Sequence, residues 1–308
     1  MTYKPLAPDY LQFAPTLRCD RRCDFCFNQA LPEGEDMPLA SFRKMIDRAA
    51  CAGVQTLDII GGEPTLHRDL LKMIEHACAA GMRVNISSNG RDPVQLAEIM
   101  RRFARASVGV SVNDHATLQN LERFLRKHRP IIKTVCSRDV DHGLIEQILT
   151  LSPRGYYLLY RDALGPDELD ASMPFDRFLD LVSTLYGSRA GMVFCSGFIP
   201  ELDRYPELRT ARCPAGTTKL GIMPDGSVYP CNLLFGQKEY RLGSILADPF
   251  DAIWRHPALS RFRVFTGNAC PRTSCVVHIR CHGGCPAHSY LHTGELTAPE
   301  PRCEPGRC

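Results

Sequence analysis

Cys19, Cys23 and Cys26 fall within one short stretch of the 308-residue chain and offer its first chemistry. Three residues separate the first pair and two the second, and Phe25 places an aromatic ring before the last. Thiolates this close together suit one metal centre. An iron–sulfur cluster normally takes four protein ligands, so a three-cysteine set leaves one iron open to something else. Zinc is an alternative, although it favours four ligands in closely spaced pairs. A disulfide staple is a third reading.

A second group lies near the C-terminus: Cys213 and Cys231, then Cys270, Cys275, Cys281, Cys285 and Cys303. The residues around Met1–Pro8 lack the apolar run of a signal peptide. No stretch reaches the length of a membrane span. A cytoplasmic chain is therefore expected, and in a reducing compartment fifteen cysteines read as metal ligands rather than disulfides. Cys51, Cys78 and Cys136 lie inside periodic apolar segments and read as buried core thiols.

The elements that position these groups follow from periodicity. Short apolar runs at 11–16, 54–60, 83–87, 107–112, 131–135 and 155–160 read as strands. Segments of helical period alternate with them at 39–52, 69–80, 93–104, 116–128, 141–151 and 174–186. Phe42, Met45, Ile46 and Ala49 share one helical face, and Leu70, Met73, Ile74 and Ala77 another. Gly53 and Gly81 stop their helices. Six strand–helix units in sequence imply a parallel sheet with helices outside, too few for a closed eight-fold barrel. The cysteine loop follows the first strand, the end at which such folds place their chemistry.

Beyond about residue 190 the helical period weakens and Cys, Gly and Pro become frequent. Residues 219–229 read as a hairpin turning at Asp225-Gly226, and 249–256 as a short helix. Two domains are expected, 1–190 and 191–308. A net charge of +3 makes no case for nucleic acid or an anionic membrane as partner. The basic clusters Arg101-Arg102 and Arg126-Lys127-His128-Arg129 read as solvated helix ends.

The Cys19–Cys26 spacing resembles the signature of radical S-adenosylmethionine (radical SAM) enzymes. Gly61-Gly62-Glu63-Pro64, after the second expected strand, is similar to the family's turn that contacts the amino group of SAM. Alone, glycines at a strand end only let a ligand approach the backbone and leave amides and carbonyls to meet it. The resemblance implies a partial (β/α)6 TIM-like barrel. It implies a [4Fe–4S] cluster on Cys19, Cys23 and Cys26 whose open iron binds SAM. Ser111 and Asn113 then contact the ribose, Arg161 pairs with the SAM carboxylate, and Phe25 walls the cluster. Ser87-Ser88-Asn89-Gly90, ending the third strand, fits the same pattern.

The C-terminal spacing, with four residues between Gly226 and Cys231, resembles the SPASM extension with its two auxiliary iron–sulfur clusters. Carried across, Cys213, Cys231 and Cys285 hold the first, and Cys270, Cys275, Cys281 and Cys303 the second. Four residues part Cys270 from Cys275 where the family usually has two, which puts Cys270 in question and brings His278 and His282 forward as substitutes. The first cluster lacks an obvious fourth ligand; Cys195, Cys308 or an open site all remain. A zinc-stabilised fold is the alternative for the whole region, because the thiolates are the same.

The family's chemistry is one-electron cleavage of SAM to methionine and a 5′-deoxyadenosyl radical that removes a substrate hydrogen. Auxiliary clusters can accept the electron if the substrate radical is oxidised. Sulfatase-maturating relatives carry an aspartate base after the second auxiliary cysteine; Asn232 occupies that position and accepts no proton near neutrality. Asp162, Glu201 and Asp225 remain candidate bases. Many SPASM enzymes oxidise or crosslink ribosomally made peptides, which is the favoured substrate class here. About ten residues precede the first strand, so a separate leader-binding protein is expected. The alternative is dehydrogenation or epimerisation of a small metabolite such as an aminosugar, with Cys195 as hydrogen donor. An electron donor such as flavodoxin or ferredoxin is implied. A different class altogether is an iron–sulfur electron carrier or metal scaffold that does not use SAM.

Overall fold

A computed structural model describes residues 7–31, 34–185, 190–193, 213–263, 270–275, 278–281 and 283–303. Six strand–helix units run in order. They are β1 (Tyr10–Phe13) and α1 (Leu39–Cys51), β2 (Thr56–Ile59) and α2 (Leu70–Ala79), β3 (Arg83–Ser88) and α3 (Pro93–Arg102). β4 (Ala106–Ser111) and α4 (His115–His128), β5 (Ile131–Cys136) and α5 (His142–Thr150), and β6 (Gly155–Tyr160) and α6 (Phe175–Thr184) complete the set. Strands β1 to β6 are parallel neighbours in sequence order, and β7 (Ala190–Val193) extends the row beyond β6.

Local chemistry sets the helix ends. Asp92, Asp114 and Asp141 accept backbone N–H bonds at the starts of α3, α4 and α5, at 2.7–3.0 Å. Gly53 and Gly81 follow α1 and α2 with φ of +93° and +87°, which a residue with a Cβ resists. The basic clusters after α3 and on α4 face solvent, where Arg102 meets Glu98 and Arg126 meets Glu122.

Every second strand residue turns toward the helices. Leu11 and Phe13 are fully buried, and the Phe13 ring lies 5.4 Å from that of Phe42 on α1. Tyr160 similarly meets Phe178 on α6 at 4.9 Å. Each such side chain contributes about 1.5–3 kcal/mol by leaving water. The opposite, concave face carries Gln12, Asp58 and Asn85 in one register row, and Ser111, Lys133 and Tyr157 in another. A parallel sheet buried on both faces would be apolar on both. The polar face therefore belongs to a lumen that receives something polar.

The C-terminal region supplies β8 (Lys219–Ile222), β9 (Ser227–Tyr229) and β10 (Gly243–Ser244). It also supplies α7 (Phe250–Trp254), α8 (Ser260–Arg263), α9 (His278–Cys281) and α10 (Pro286–Thr293). The expected hairpin is β8–β9. Asp225 holds its turn by accepting from the Ser227 backbone and hydroxyl at 2.8 and 2.6 Å, and Gly226 adopts φ +82°. This hairpin is no appendage. β8 also pairs in parallel with β1, giving one ten-stranded sheet in the order β10-β9-β8-β1-β2-β3-β4-β5-β6-β7. Leu220, Ile222, Ile253, Trp254 and Leu259 join the same apolar core as β1–β6.

Of the three expected core thiols, only Cys136 is fully buried. Cys51 is exposed and Cys78 half-buried. Cys51 stands two residues beyond Ala49, about 200° around the helix and away from the apolar stripe. Cys78 lies one residue past Ala77, on the margin of its stripe. Among the described residues no helix is long and apolar enough to cross a membrane.

Candidate functional site

Loops leaving the C-terminal ends of β1, β2 and β3 meet at one edge of the sheet. The first carries Cys19, exposed, and Cys23 and Cys26, half-buried. The Cys26 amide donates to the Cys23 carbonyl at 3.1 Å, and the Arg21 amide donates to the Cys19 sulfur at 3.4 Å. Burial pushes the Cys23 and Cys26 thiols up, and the neighbouring cysteines push the same way. Three such thiols hold their charge together only when a cation shares it. The donor set therefore fits a thiolate-bound metal centre.

Gly61 and Gly62, expected to admit a ligand, first admit the chain itself. A Cβ on Gly62 would stand 2.0 Å from the Arg18 carbonyl oxygen, and one on Gly61 2.5 Å from that of Thr16. The amides of Gly62 and Glu63 donate to those same carbonyls at 2.9 and 2.8 Å. These amides are thus engaged in holding the cysteine loop, which corrects the expectation that they are left for a ligand. The Gly61 and Gly62 carbonyls accept no hydrogen bond among the described residues.

Glu63 is buried and fully used. Its Oε1 accepts from the Thr65 amide at 3.0 Å, the Thr65 hydroxyl at 2.7 Å and the Ser88 hydroxyl at 2.8 Å. Its Oε2 accepts from the Asn89 amide at 2.7 Å. It clamps the β3 loop to the β2 loop, with buried Pro64 opening the short turn that follows. Asn89 in turn donates to Asp20 at 2.9 Å and lies 3.9 Å from the Cys19 sulfur.

The other sequence candidates divide. Arg161 does reach the cysteine loop, but through Asp24: Nη1 donates to its carboxylate at 2.8 Å and Nη2 to its carbonyl at 3.1 Å. Its buried Nε has no hydrogen-bond partner among the described residues. Asn113 accepts from the Val135 amide at 2.8 Å, which ties β4 to β5 and occupies its carbonyl oxygen. Ser111 and Phe25 are half-buried at the same edge. Cys195, Glu201, His282 and Cys308 lie outside the described residues.

Sequence reasoning missed Lys133 and Asp58. Lys133 crosses the lumen face of β4, where a Cβ on Gly109 would stand 2.6 Å from its Cε, and donates to Ser87 Oγ at 2.5 Å. Burial pushes its pKa down, with Asp58 pulling it back. Burial raises the Asp58 carboxyl, against Lys133, Tyr10 and Lys219. The signal was available: both residues fall on the strand parity of half-buried Gln12 rather than on that of Leu11 and Phe13.

The C-terminal cysteines assemble in two places. Cys213, Cys231 and Cys285 are buried within reach of one another's charge. Burial first, and Cys285 beside them, push Cys213 up to about 12 and Cys231 up to about 11. The Lys219 charge opposes this and also acts on Asp58. A Cβ on Gly221, which pairs with Gln12 of the lumen face, would stand 2.9 Å from the Cys231 backbone, so Cys231 packs against β8. Cys270, Cys275, Cys281 and Cys303 line one cavity with His278, Phe175 and Glu300. The His278 Nε2 lies 3.2 Å from the Cys270 carbonyl oxygen. Among the described residues no three His, Cys, Asp or Glu side chains close to the spacing of a single-ion site.

Between the two sets runs a buried charged network. Glu300 Oε2 accepts from the Cys285 amide at 2.9 Å, and Oε1 accepts from Arg302 Nε at 2.7 Å. Arg302 also donates to the Arg161 carbonyl at 2.9 Å and covers the Tyr160 ring at 4.7 Å. Burial opposes ionising Glu300, but Arg302 and then His288 outweigh it and hold the carboxyl well below the usual range.

Comparison with known proteins agrees with this geometry. The model of the Radical SAM superfamily matches residues 13–134, and that of an iron–sulfur cluster-binding domain, SPASM, matches residues 213–283. The antilisterial bacteriocin subtilosin biosynthesis protein AlbA of Bacillus subtilis is 23% identical over 82% of this chain. The match spans only 61% of that relative's length. The PqqA peptide cyclase of Rhodopseudomonas palustris is 24% identical, covering 94% of this chain and 84% of the relative. The mycofactocin maturase MftC of Mycolicibacterium smegmatis is 25% identical, covering 97% and 83%. Streptococcus suis SuiB bound to S-adenosylmethionine shares the fold with a TM-score of 0.73 at 18% identity, over 97% of this chain and 78% of that one. With barrel, cysteine loop and C-terminal cysteine sets in agreement, the chain belongs to the radical SAM superfamily, as an enzyme that carries a SPASM region for auxiliary iron–sulfur clusters.

Proposed function

We propose that this chain uses SAM to modify a ribosomally made peptide oxidatively, by crosslinking or by oxidation of a side chain. Cys19, Cys23 and Cys26 hold the SAM-binding [4Fe–4S] cluster. Cys213, Cys231 and Cys285 hold a first auxiliary cluster, and Cys270, Cys275, Cys281 and Cys303 a second. When bound, the first of these clusters with SAM supplies the radical chemistry that removes a substrate hydrogen.

The chain's own residues bind, orient and shield. The Gly61 and Gly62 carbonyls present acceptors to the SAM amino group. Glu63 positions that turn and Ser88-Asn89 without itself touching the ligand. Lys133 is better placed than Arg161 to receive an anionic group in the lumen, since Asp24 already occupies the Arg161 fork. Residues 1–190 form the barrel unit and 191–308 the auxiliary unit, joined through β8 and β1. An electron donor such as flavodoxin or ferredoxin reduces the exposed cluster loop, and the reducing cytoplasm suits the free thiols.

The observation that carries this reading is the packing of Cys231 against β8, where a Cβ on Gly221, the register partner of lumen-facing Gln12, would stand 2.9 Å from the Cys231 backbone. A cluster there would lie beside the lumen, where it could accept the electron that a substrate radical loses on oxidation. The peptide class rests on the relatives: a peptide cyclase, a bacteriocin biosynthesis protein, and SuiB, whose fold is also known with its precursor peptide SuiA. The test is anaerobic turnover with deuterated peptide and metabolite pools, following deuterium into 5′-deoxyadenosine. Transfer from peptide supports the reading, and transfer only from a small metabolite replaces it with the metabolite alternative. Cys23→Ala abolishes 5′-deoxyadenosine formation; persistence in that variant removes the cluster assignment.

A further inference from the structure

One buried hydrogen-bonding atom near the auxiliary cysteines lacks a partner. His288 is fully buried on α10, and its Nδ1 meets no acceptor among the described residues. An unmet buried polar group is destabilising, so a ring kept there implies a partner beyond the polypeptide. Three features say which. His288 follows Cys285 by three residues across the first turn of α10, which places both on one side of the helix. Its ring is close enough to Cys285 for the two charges to interact. Its other nitrogen is fixed: Nε2 accepts from the Ala163 amide at 3.3 Å and stands 3.2 Å from Asp162 Oδ1. The neutral ring that accepts from Ala163 carries its proton on Nδ1. The imidazolium that pairs with Asp162 carries one there too. Both forms present an N–H that no nitrogen or oxygen of the described residues accepts, beside the Cys285 sulfur.

We infer that His288 donates a hydrogen bond through Nδ1 to a sulfur of the cluster held by Cys213, Cys231 and Cys285, and so raises that cluster's reduction potential. The inference rests on the reading of those cysteines as an iron–sulfur site. A donor aimed at cluster sulfur stabilises the reduced, more negative form. Asp162 orients the ring, and Arg302 and Glu300 brace Asp162 and the Cys285 amide. Glu300 can come this close because its neighbour is Gly284, at φ +89°, where a Cβ would stand 2.3 Å from that of Glu300. His288 is a positioning and tuning residue; it touches the auxiliary centre, not the substrate.

The test uses the full chain reconstituted without air, with the SAM-binding cluster removed by Cys19→Ala, Cys23→Ala and Cys26→Ala so that only auxiliary signals remain. Potentiometry followed by electron paramagnetic resonance reads the midpoint. His288→Phe lowers it by roughly a tenfold change in the one-electron equilibrium, about 59 mV. His288→Gln, which keeps an N–H, recovers part of the shift. An unchanged midpoint with the cluster intact overturns the inference. Should the variants not fold, protein with wild-type His288 and 15N-labelled histidine decides: a histidine hyperfine coupling on the reduced cluster supports it, and a normal cluster signal without that coupling overturns it. If no cluster forms at those cysteines even with wild-type His288, the underlying reading falls and takes the inference with it.

Discussion

The cysteine loop after β1 and the cysteine sets behind β8 offer the same donor atom in opposite surroundings. Cys19 is exposed and the loop is local in sequence, held in shape by its neighbours: Arg18 and Thr16 against Gly61–Glu63, Asn89 on Asp20, Arg161 on Asp24. Cys213, Cys231 and Cys285 are buried and arrive from distant parts of the chain. An exposed, braced loop keeps its shape and leaves a face open for a ligand and a reductant. Buried thiols pushed up to about 11 or 12 do not ionise near neutrality without a metal. On the proposed assignment, the first site would do chemistry on something that comes and goes, and the second would bind its metal as part of folding.

The largest effect expected from this contrast is that of metal removal. With iron withheld, hydrogen exchange across residues 270–303 rises toward that of an unfolded chain, while β1–β6 keep their protection. The barrel strands have an apolar core of their own, whereas the cavity of Cys270, Cys275, Cys281 and Cys303 is walled by thiols drawn from separate short segments, with Arg272, His278 and Glu300 beside them. Uniform loss of protection across both halves would show that the shared sheet, not the metal, governs the C-terminal region.

Next is Glu300→Gln, which leaves Arg302 buried without its nearer charge partner, with Asp162 3.5 Å away. Breaking such a pair costs about 3–5 kcal/mol, read as a lower denaturation midpoint with the slope unchanged. The pH dependence has a definite sign. The folded Glu300 carboxyl is held below its unfolded value, so its stabilisation is complete above the ordinary glutamate range and is lost as pH falls through the depressed value. Acid titration of the parent protein therefore loosens the 283–303 segment below about pH 4.3, and Glu300→Gln flattens that dependence.

How far these features could be read in advance depends on locality. The six strand–helix units were legible because their apolar periods are contiguous: β6 is found at 155–160 as expected, and α4 begins one residue early, where Asp114 caps it. The resemblance divided the C-terminal cysteines into two sets, and the structure brings Cys213, Cys231 and Cys285 near one another and Cys270, Cys275, Cys281 and Cys303 around one cavity. The pairing of β8 with β1 was not legible, since Leu220 meets Leu11 across some two hundred residues and nothing local records it. The clamp made by Glu63 was not legible either, because its partners Ser88 and Asn89 come from the next strand. Cys51 was misread because lying in an apolar helix is not the same as lying on its apolar face.

Glu63→Gln sharpens the comparison from the loop side. An amide keeps one acceptor oxygen but turns an N–H toward donors that already need acceptors, so about 1.5–3 kcal/mol of charge-assisted bonding is at risk. Converted at 1.4 kcal/mol per decade, that is roughly a tenfold to hundredfold loss of SAM affinity. Iron at Cys19, Cys23 and Cys26 persists, because Glu63 touches the β2 and β3 loops rather than the thiols. Equilibrium SAM binding beside iron analysis separates the two. Joint loss of iron and SAM would mean the clamp holds the cysteine loop itself.

The smallest effect belongs to Asp24→Asn, and it tests whether the loop's bracing is electrostatic at all. The Asp24 side chain is 75% exposed while that of Arg161 is 5% exposed, so the pair has one solvated end. An exposed carboxylate of this kind contributes up to about 1 kcal/mol and is screened by salt. The Arg161 Nη2 bond to the Asp24 carbonyl survives the substitution, because it needs only the backbone. SAM affinity should therefore fall less than about tenfold, and the gap from the parent should close as ionic strength rises. Should the gap instead be large and indifferent to salt, the Arg161–Asp24 contact acts as a shaped joint, and the exposed loop is as tightly specified as the buried cysteines it was contrasted with.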